Sequence, residues 1–520
     1  MARAMILNVL ALLSLVGASP AARPAAAPIA APQPVTTPSP VDRTPSKVRR
    51  GLGDDIHSVL GSLGSNLPSW VASGVPQFFQ DLPSGSAVQS SLGIDSSQLA
   101  ALPTNVLNIP PYANWTDQGW NVRFHGNVYK QPNISQSKLD DLANIFLVGT
   151  SVEKLPPSQA AQARNFTSSI FVVQQDNENL TFHLEPAPMA GSSGEPGGGG
   201  AVTPNGGSQN ITFPFPTTGE GDFDSFVPIR NVSGGGLEAG NATSNLQRLN
   251  VYADGTLTGN ATAYLVPTEG FTIVSDIDDI LRVTKIYEPT EGLLNSFARP
   301  FTPWMNMPEI YANWSRSLPD FHFHYLTTTP EQVTRNYMEF IYKTYPGGSF
   351  DTRPLNFSDV SATLSIRKFL LTKVFETFPK RKFILVADTS NSDVMSDYPQ
   401  LGLDYPDQVQ CIFLRNTSAT DSGDKFPYNT KVFKDVDPKK YMFFNVPDDL
   451  RNLDVVNGQC VNASVHQDVT FGEQGLPFGV DLGPGKKNAA TTSASLNRST
   501  AVKGVLTAIT VILIGLVGGL

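Results

Sequence analysis

Only two cysteines and six histidines occur in 520 residues. Two cysteines exclude a small disulfide-stapled scaffold, and a chain of this length has ample material for a full core. Charge is also sparse, at 16% of residues, and leans acidic, with 37 Lys and Arg against 46 Asp and Glu for a net of −9. Without a basic footprint to neutralise phosphates, nucleic acid is excluded as a partner class. Neither a P-loop nor a Ser nucleophile elbow is present. His322 and His324 alternate on one apolar run with no Cys or His at zinc spacing, so they read as core or pocket edge rather than as metal ligands. What is abundant is Gly (43) and Pro (41), which marks parts of the chain as linker.

The ends read as addresses. Residues 1–18 place Arg3 before an apolar run from Met5 to Val16 and the small residues Gly17 and Ala18, the order of a secretory signal peptide. Residues 19–50 form a Pro/Ala-rich linker or propeptide ending in the dibasic Arg49-Arg50. A polar linker, 466–503, precedes a hydrophobic tail, 504–520, with Asn488 or Ser493 as attachment residue for a glycosylphosphatidylinositol anchor; a tail-anchored helix is the rival reading. Thirteen Asn-x-Ser/Thr sequons, among them Asn114, Asn165, Asn260 and Asn416, fit a protein carrying N-glycans. The expectation is a secreted protein held at the cell surface, on the plasma membrane or in the wall. In that compartment Cys411 and Cys460 are expected to pair. Removal of both ends leaves a body more acidic still, so an anionic ligand requires a local cation.

The body divides into three. Residues 51–106 are a helical or irregular lead-in, with helical spacing from Asp55 to Phe79 that suits a helix docked on its own domain. Residues 107–268 carry short alternating or β-branched runs at Trp120–Gly126, Ser169–Val173, Leu180–Leu184 and Arg248–Tyr252, which predict a small β-rich domain, a sandwich or barrel, with a Gly-rich insertion over 191–209. From 269 to 465 apolar strands alternate with helical stretches, the pattern of an α/β domain with a parallel sheet. Predicted strands are Phe271–Ser275, Phe321–Leu326, Phe383–Ala387 and Val409–Leu414, and predicted helices Pro330–Tyr345 and Val360–Phe378.

Chemistry-bearing residues fall at the carboxyl ends of these strands, where such sheets bind ligands. The first ends in Asp276-Ile277-Asp278, the second in Thr327-Thr328-Thr329-Pro330, and the third in Asp388, with Asp393 five residues on. Two carboxylates two apart after a buried strand suit a hard cation and a proton carrier, and hydroxyls opening a helix suit a phosphate. Asp pairs also make turns, and Thr also caps helices. Acid, hydroxyl and acid on three consecutive strand ends exceed what capping requires.

The constellation resembles the haloacid dehalogenase superfamily of phosphohydrolases. More narrowly, Val274–Asp279, Phe301–Trp314, His324-Tyr325 and Phe378–Val386 resemble the fungal actin-patch-associated phosphatidate phosphatases, over roughly Pro110 to Leu450. The resemblance implies a Rossmann-like catalytic domain and Mg²⁺-dependent hydrolysis of a phosphomonoester, phosphatidate to diacylglycerol and phosphate. It implies that Asp276 attacks phosphorus, that Asp278 is the acid and base, and that Thr327 and a cation hold the phosphoryl oxygens. Helix register offers Arg367 or Lys368 for that cation, with Lys373 further on, and Lys368 is the choice made here because ammonium is the usual point charge for phosphate. The metal set is drawn from Asp276, Asp278, Asp388 and Asp393. The chain departs from the family at Ile280 (usually Thr), at Thr327–Pro330 (usually Ser-x-Ser-Pro), at Ala387 (usually Gly) and at Ser390-Asn391. The contrasting expectation is a non-catalytic surface glycoprotein that keeps the fold.

Overall fold

The computed structural model describes residues 84–474 except 148, 188–206, 231–235, 238, 243–244, 354–365 and 425–426. The expected signal peptide, the helix over Asp55–Phe79, most of the Gly-rich insertion and the hydrophobic tail lie outside the described residues. Among the described residues no helix is long and apolar enough to cross a membrane.

The first sheet has nine strands: β1 (Thr104–Ile109), β2 (Tyr112–Thr116), β3 (Gly119–Lys130), β4 (Val173–Gln174), β5 (Thr181–Pro186), β6 (Gln209–Thr212), β7 (Asp222–Pro228), β8 (Gln247–Ala253) and β9 (Ala261–Leu265). Its path runs β1-β3-β2-β9-β8-β5-β6, with β4 and β7 also on β3. All pairings are antiparallel except β2 with β9. Alternating residues such as Leu249, Val251 and Ala253 on β8 face one interior. Residues of β1, β6 and β7, distant along the path, join that same apolar cluster, so the sheet curls around its own core. Phe124 and Phe182 stack at its centre with ring centroids 4.8 Å apart.

This part of the chain is less purely β than the pattern predicts. It contains the helices α1 (Gln136–Phe146) and α2 (Pro157–Ile170). The run Ser169–Val173, read above as a strand, begins as the end of α2 at Ser169 and Ile170, leaves it through Phe171 and Val172, and only at Val173 enters β4. Pro157 starts that helix at a position where its missing N–H costs nothing. Ala160, Ala163, Thr167 and Ile170 then bury one helical stripe, which outweighs the short β-branched run.

The second sheet has six parallel strands: β10 (Phe271–Asp276), β11 (His322–Pro330), β12 (Ser349–Arg353), β13 (Lys382–Asp388), β14 (Val409–Arg415) and, after the short β15 (Tyr428–Asn429), β16 (Tyr441–Phe444). Four of them match the predicted strands with ends moved by a few residues. The segments β12 and β16, buried throughout but short, carry too little pattern to be read alone. Helices α3 (Pro289–Phe297), α4 (Met307–Ser317) and α5 (Glu331–Thr344) contribute to the apolar cluster on one face; α6 (Ile366–Thr377) and α7 (Ser392–Asp404) contribute to that on the other. Spatial order is β12-β11-β10-β13-β14-β16, so its sequence direction reverses between β10 and β13. At that reversal the carboxyl ends diverge and leave a crevice.

Three tethers fix this sheet. At its amino edge Arg381, wholly buried, donates to the carbonyls of Pro267, Glu269, Phe271 and Asp320 and to Thr272 Oγ1. Gly270 lies beneath it at φ +110°, and a Cβ there would meet Asp320 O at 2.7 Å, so only glycine fits. Cys411 on β14 pairs with Cys460, Cα atoms 5.4 Å apart, as the compartment argument expects. The short β17 (Glu473–Gln474) pairs with β15 beyond it.

The third tether joins the two sheets. Arg123 of β3 is forked onto both oxygens of Asp224 at 2.9 Å and donates through Nη1 to Asp351 of β12 at 2.8 and 2.9 Å. Lys373 of α6 reaches Asp224 at 2.7 Å. His322 and His324 are fully buried alongside, both on Ser349 Oγ at 2.9 and 2.8 Å, which is the core role predicted for them. Burial alone would raise Asp351 and Asp224, but Arg123, joined by His324 and His125 at Asp351 and by Lys373 and His125 at Asp224, holds both well below the usual carboxylate range. Burial, with Arg123 adding to it, pushes His125 down to about 3.

Candidate active site

Asp276 is the last residue of β10 and Asp388 the last of β13, neighbouring strands in parallel register on either side of the reversal point. Both are buried, Asp388 completely. Asp276 accepts from Ile277 N at 3.0 Å and pairs with Arg367 Nη2 at 3.0 Å. Burial nevertheless pushes it up to about 6, with Asp278 adding to the rise and Arg367 opposing it. Asp388 takes both hydrogen bonds from Ser390, N and Oγ, on Oδ1, and its buried Oδ2 has no partner. Burial, reinforced by the charges of Asp276 and Asp279, pushes it up to about 8.

The turn after β10 is built by a third acid. Asp279 sits in the left-handed region at φ 59° and accepts from the backbone N–H groups of Thr284, Lys285 and Ile286 at 2.8 to 3.2 Å. Arg415, at the end of β14, donates to the Asp279 carbonyl and lies 4.0 Å from the ring centre of Trp304. Asp278 is thereby turned toward Arg282 and Thr284. Its Oδ1 accepts from Arg282 Nε at 3.1 Å, Arg282 Nη2 at 2.8 Å and Thr284 Oγ1 at 2.9 Å.

Of the predicted residues, Asp276, Asp278 and Asp388 stand at the crevice. Thr327 lies on the adjacent strand end, buried, its Oγ1 accepting from Thr329 N at 3.1 Å at the opening of α5. Lys368 does not join them: its ammonium lies 3.5 Å from Asp404 on α7, while its neighbour Arg367, 1% exposed, faces Asp276. Adjacent helical residues diverge by about 100°, so only one of the pair faces inward. The apolar neighbours Leu370, Leu371 and Val374 put Arg367 on the buried side. Asp393 is exposed in the first turn of α7, and its carboxylate touches this group only through its field on Arg367. Ile280 is wholly buried in the apolar cluster under the sheet, so that departure changes core packing rather than the crevice lining.

Residues that the sequence reading passed over are Arg282, Asp279 and Arg415. An Arg four after Asp278 was the available signal for the first. The turn between them is not helical, so only the fold brings Arg282 back to its partner.

The donor set at the crevice is oxygen only, which suits Mg²⁺ rather than a softer ion. A buried carboxylate oxygen without a partner, on Asp388, fits an arriving cation. Among the described residues no three His, Cys, Asp or Glu side chains form a ready-made cage. The expected shell needs only two, Asp276 and Asp388, with the Asp278 carbonyl.

Residues 271–416 match the family model described as phosphatidate phosphatase APP1, catalytic domain. That stretch runs from the first residue of β10 to just past β14 and contains every residue placed at the crevice, so the family resemblance read from the motifs is met there. Among curated proteins, the phosphatidate phosphatase APP1 of Saccharomyces cerevisiae is 25% identical over 209 residues, which is 38% of this chain. The match spans 35% of that relative's length. No solved structure matches the chain.

Proposed function

We propose that this protein is a Mg²⁺-dependent phosphomonoester hydrolase with a Rossmann-like catalytic domain of haloacid dehalogenase type, acting on phosphatidate to give diacylglycerol and phosphate. The observation that carries the reading is the pair Asp276 and Asp388, buried and facing one crevice with their carboxyl groups raised, which a fold without a ligand has no reason to keep. The family match over the same residues supports the reaction class.

In this reading Asp276 attacks phosphorus and an aspartyl-phosphate forms as the ester oxygen departs. Asp278 gives that oxygen its proton and then takes one from the water that releases phosphate. Arg367 and Thr327 hold the phosphoryl oxygens, the guanidinium moving from Asp276 to the substrate. Asp276, the Asp278 carbonyl and Asp388 would hold Mg²⁺, which supplies charge neutralisation when bound. Secretion, N-glycans and a C-terminal lipid anchor complete the proposal and would place the enzyme at a membrane or wall surface, beside phospholipid.

The test is phosphate release from phosphatidate vesicles and from soluble phosphomonoesters, with Mg²⁺ or EDTA, comparing the protein with Asp276→Asn. Release that needs Mg²⁺ and vanishes in the variant supports the reading. A folded, glycosylated sample that releases nothing from any substrate turns it toward a non-catalytic surface glycoprotein.

A further inference from the structure

Asp278 is anchored by one oxygen and free at the other. Three donors converge on Oδ1: both nitrogens of the Arg282 fork that face it, and Thr284 Oγ1. Arg282 is itself immobilised to an unusual degree. It is 3% exposed, and its guanidinium carbon lies 4.6 Å from the Tyr337 ring centre and 5.0 Å from that of Phe301. Its backbone is fixed as well, with the carbonyl accepting from Asp279 N at 3.0 Å and an isolated bridge to Pro303. One nitrogen, Nη1, is buried and bonded to nothing in the protein.

Two guanidinium N–H groups and a hydroxyl converging on one carboxylate oxygen, with the guanidinium packed against two aromatic rings, fix the place of that oxygen and leave the other open. A hydrophobic fold does not need this fork, since burying a cation with an unsatisfied N–H is costly. The arrangement leaves Asp278 Oδ2 as the single oxygen able to carry a proton.

We infer that Arg282 is a positioning residue that aims Asp278 Oδ2 at the departing ester oxygen, and so fits the site to unactivated alkyl phosphomonoesters, whose alkoxide cannot leave without a proton. The inference rests on the phosphohydrolase reading above. In the step it serves, the bond from phosphorus to the alkyl oxygen breaks, the bond from Asp276 to phosphorus forms, and the Asp278 proton moves to the alkoxide to give the free alcohol. In the second step water attacks the aspartyl-phosphate, its proton returns to Asp278, and phosphate and the Asp276 carboxylate are released.

The experiment uses the full chain and two probes, glycerol phosphate and p-nitrophenyl phosphate, whose phenolate leaves unaided. Arg282→Ala is expected to lower kcat/KM for glycerol phosphate about 100-fold or more, the scale of lost general acid catalysis, and for p-nitrophenyl phosphate by less than about tenfold. Arg282→Lys, which keeps the charge and loses the fork, and Thr284→Val, which removes the third donor, are expected to shift the ratio between the probes the same way by less. Should Arg282→Ala not show a cooperative melt, those two variants read the ratio in its place. Equal losses on both probes would mean a merely structural role and overturn the inference, as would an unchanged ratio in all variants. A wild-type protein inactive on both probes overturns the phosphohydrolase reading, and this inference with it.

Discussion

Two groups of carboxylates in this molecule have opposite electrostatics. Asp351 and Asp224, where the two sheets meet, are fully compensated by Arg123 and Lys373 and held low. Asp276 and Asp388, at the carboxyl end of the second sheet, have one guanidinium between them, paired with Asp276, and are pushed up to about 6 and 8. Asp351 is as deeply buried as Asp276 and Asp388, although Asp224 is exposed, so at Asp351 compensation rather than depth makes the difference. A compensated cluster is finished and serves to hold parts together. An undercompensated one stores an affinity for a cation and a phosphoryl group that the chain does not itself satisfy.

The largest expected effect breaks the undercompensated group: Asp276→Asn should cost at least about a thousandfold in kcat while leaving the melting temperature near or above wild type, because the variant removes a raised buried acid. Next comes the helix register. Arg367→Ala should lower kcat/KM about 100-fold or more, and Lys368→Ala less than about twofold, in the same phosphate-release assay. The third breaks the compensated group. Arg123→Ala leaves Asp351 buried without its partner and should destabilise by about 3 to 5 kcal/mol, read by denaturant unfolding, with turnover per folded molecule far less affected.

The smallest effect is the most diagnostic, because the two groups respond to pH with opposite sign. Asp351 and Asp224 bind fewer protons folded than unfolded, so their stabilisation is present above about pH 4 and is lost as acid is added. Asp388 binds more protons folded than unfolded between pH 3.8 and about 8, so the metal-free protein loses stability as pH rises through that window. Thermal melts in EDTA should therefore weaken toward both extremes, and Asp388→Asn should flatten the alkaline limb between about pH 6 and 8 while leaving the acid limb in place. Adding Mg²⁺ should raise the melting temperature more at pH 8.5 than at pH 6, since the cation takes the ionised carboxylate. Equal shifts would show that Asp388 is not part of the cation's shell.

How much of this was legible in the chain follows the range of each interaction. Strand ends are local, and Asp276, Asp278, Thr327 and Asp388 could be placed from apolar runs that stop abruptly at polar residues. The choice between Arg367 and Lys368 depends on which side of α6 is buried, and the segment just before that helix gives no clean apolar stripe to set the phase. The Arg282 fork and the Arg123 bridge are tertiary: the first depends on a non-helical turn and the second on residues 228 positions apart. No periodicity announces either. The helix α2 was missed for a different reason, since alanines carry its buried stripe and register weakly as apolar pattern.

The disulfide has a mechanical meaning. In a chain held by its C-terminus, tension enters the described body at Gln474 and first loads β17, whose two rungs on β15 peel one at a time. The fourteen residues from 461 to 474 have an extended length of about 48 Å at about 3.4 Å per residue, which bounds how far they can unspool. Extension stops at Cys460, where the load passes covalently into Cys411, inside the six-stranded sheet between β13 and β16. The load thus reaches the sheet at β14, on the far side of β13 from β10, and not at the crevice between β10 and β13.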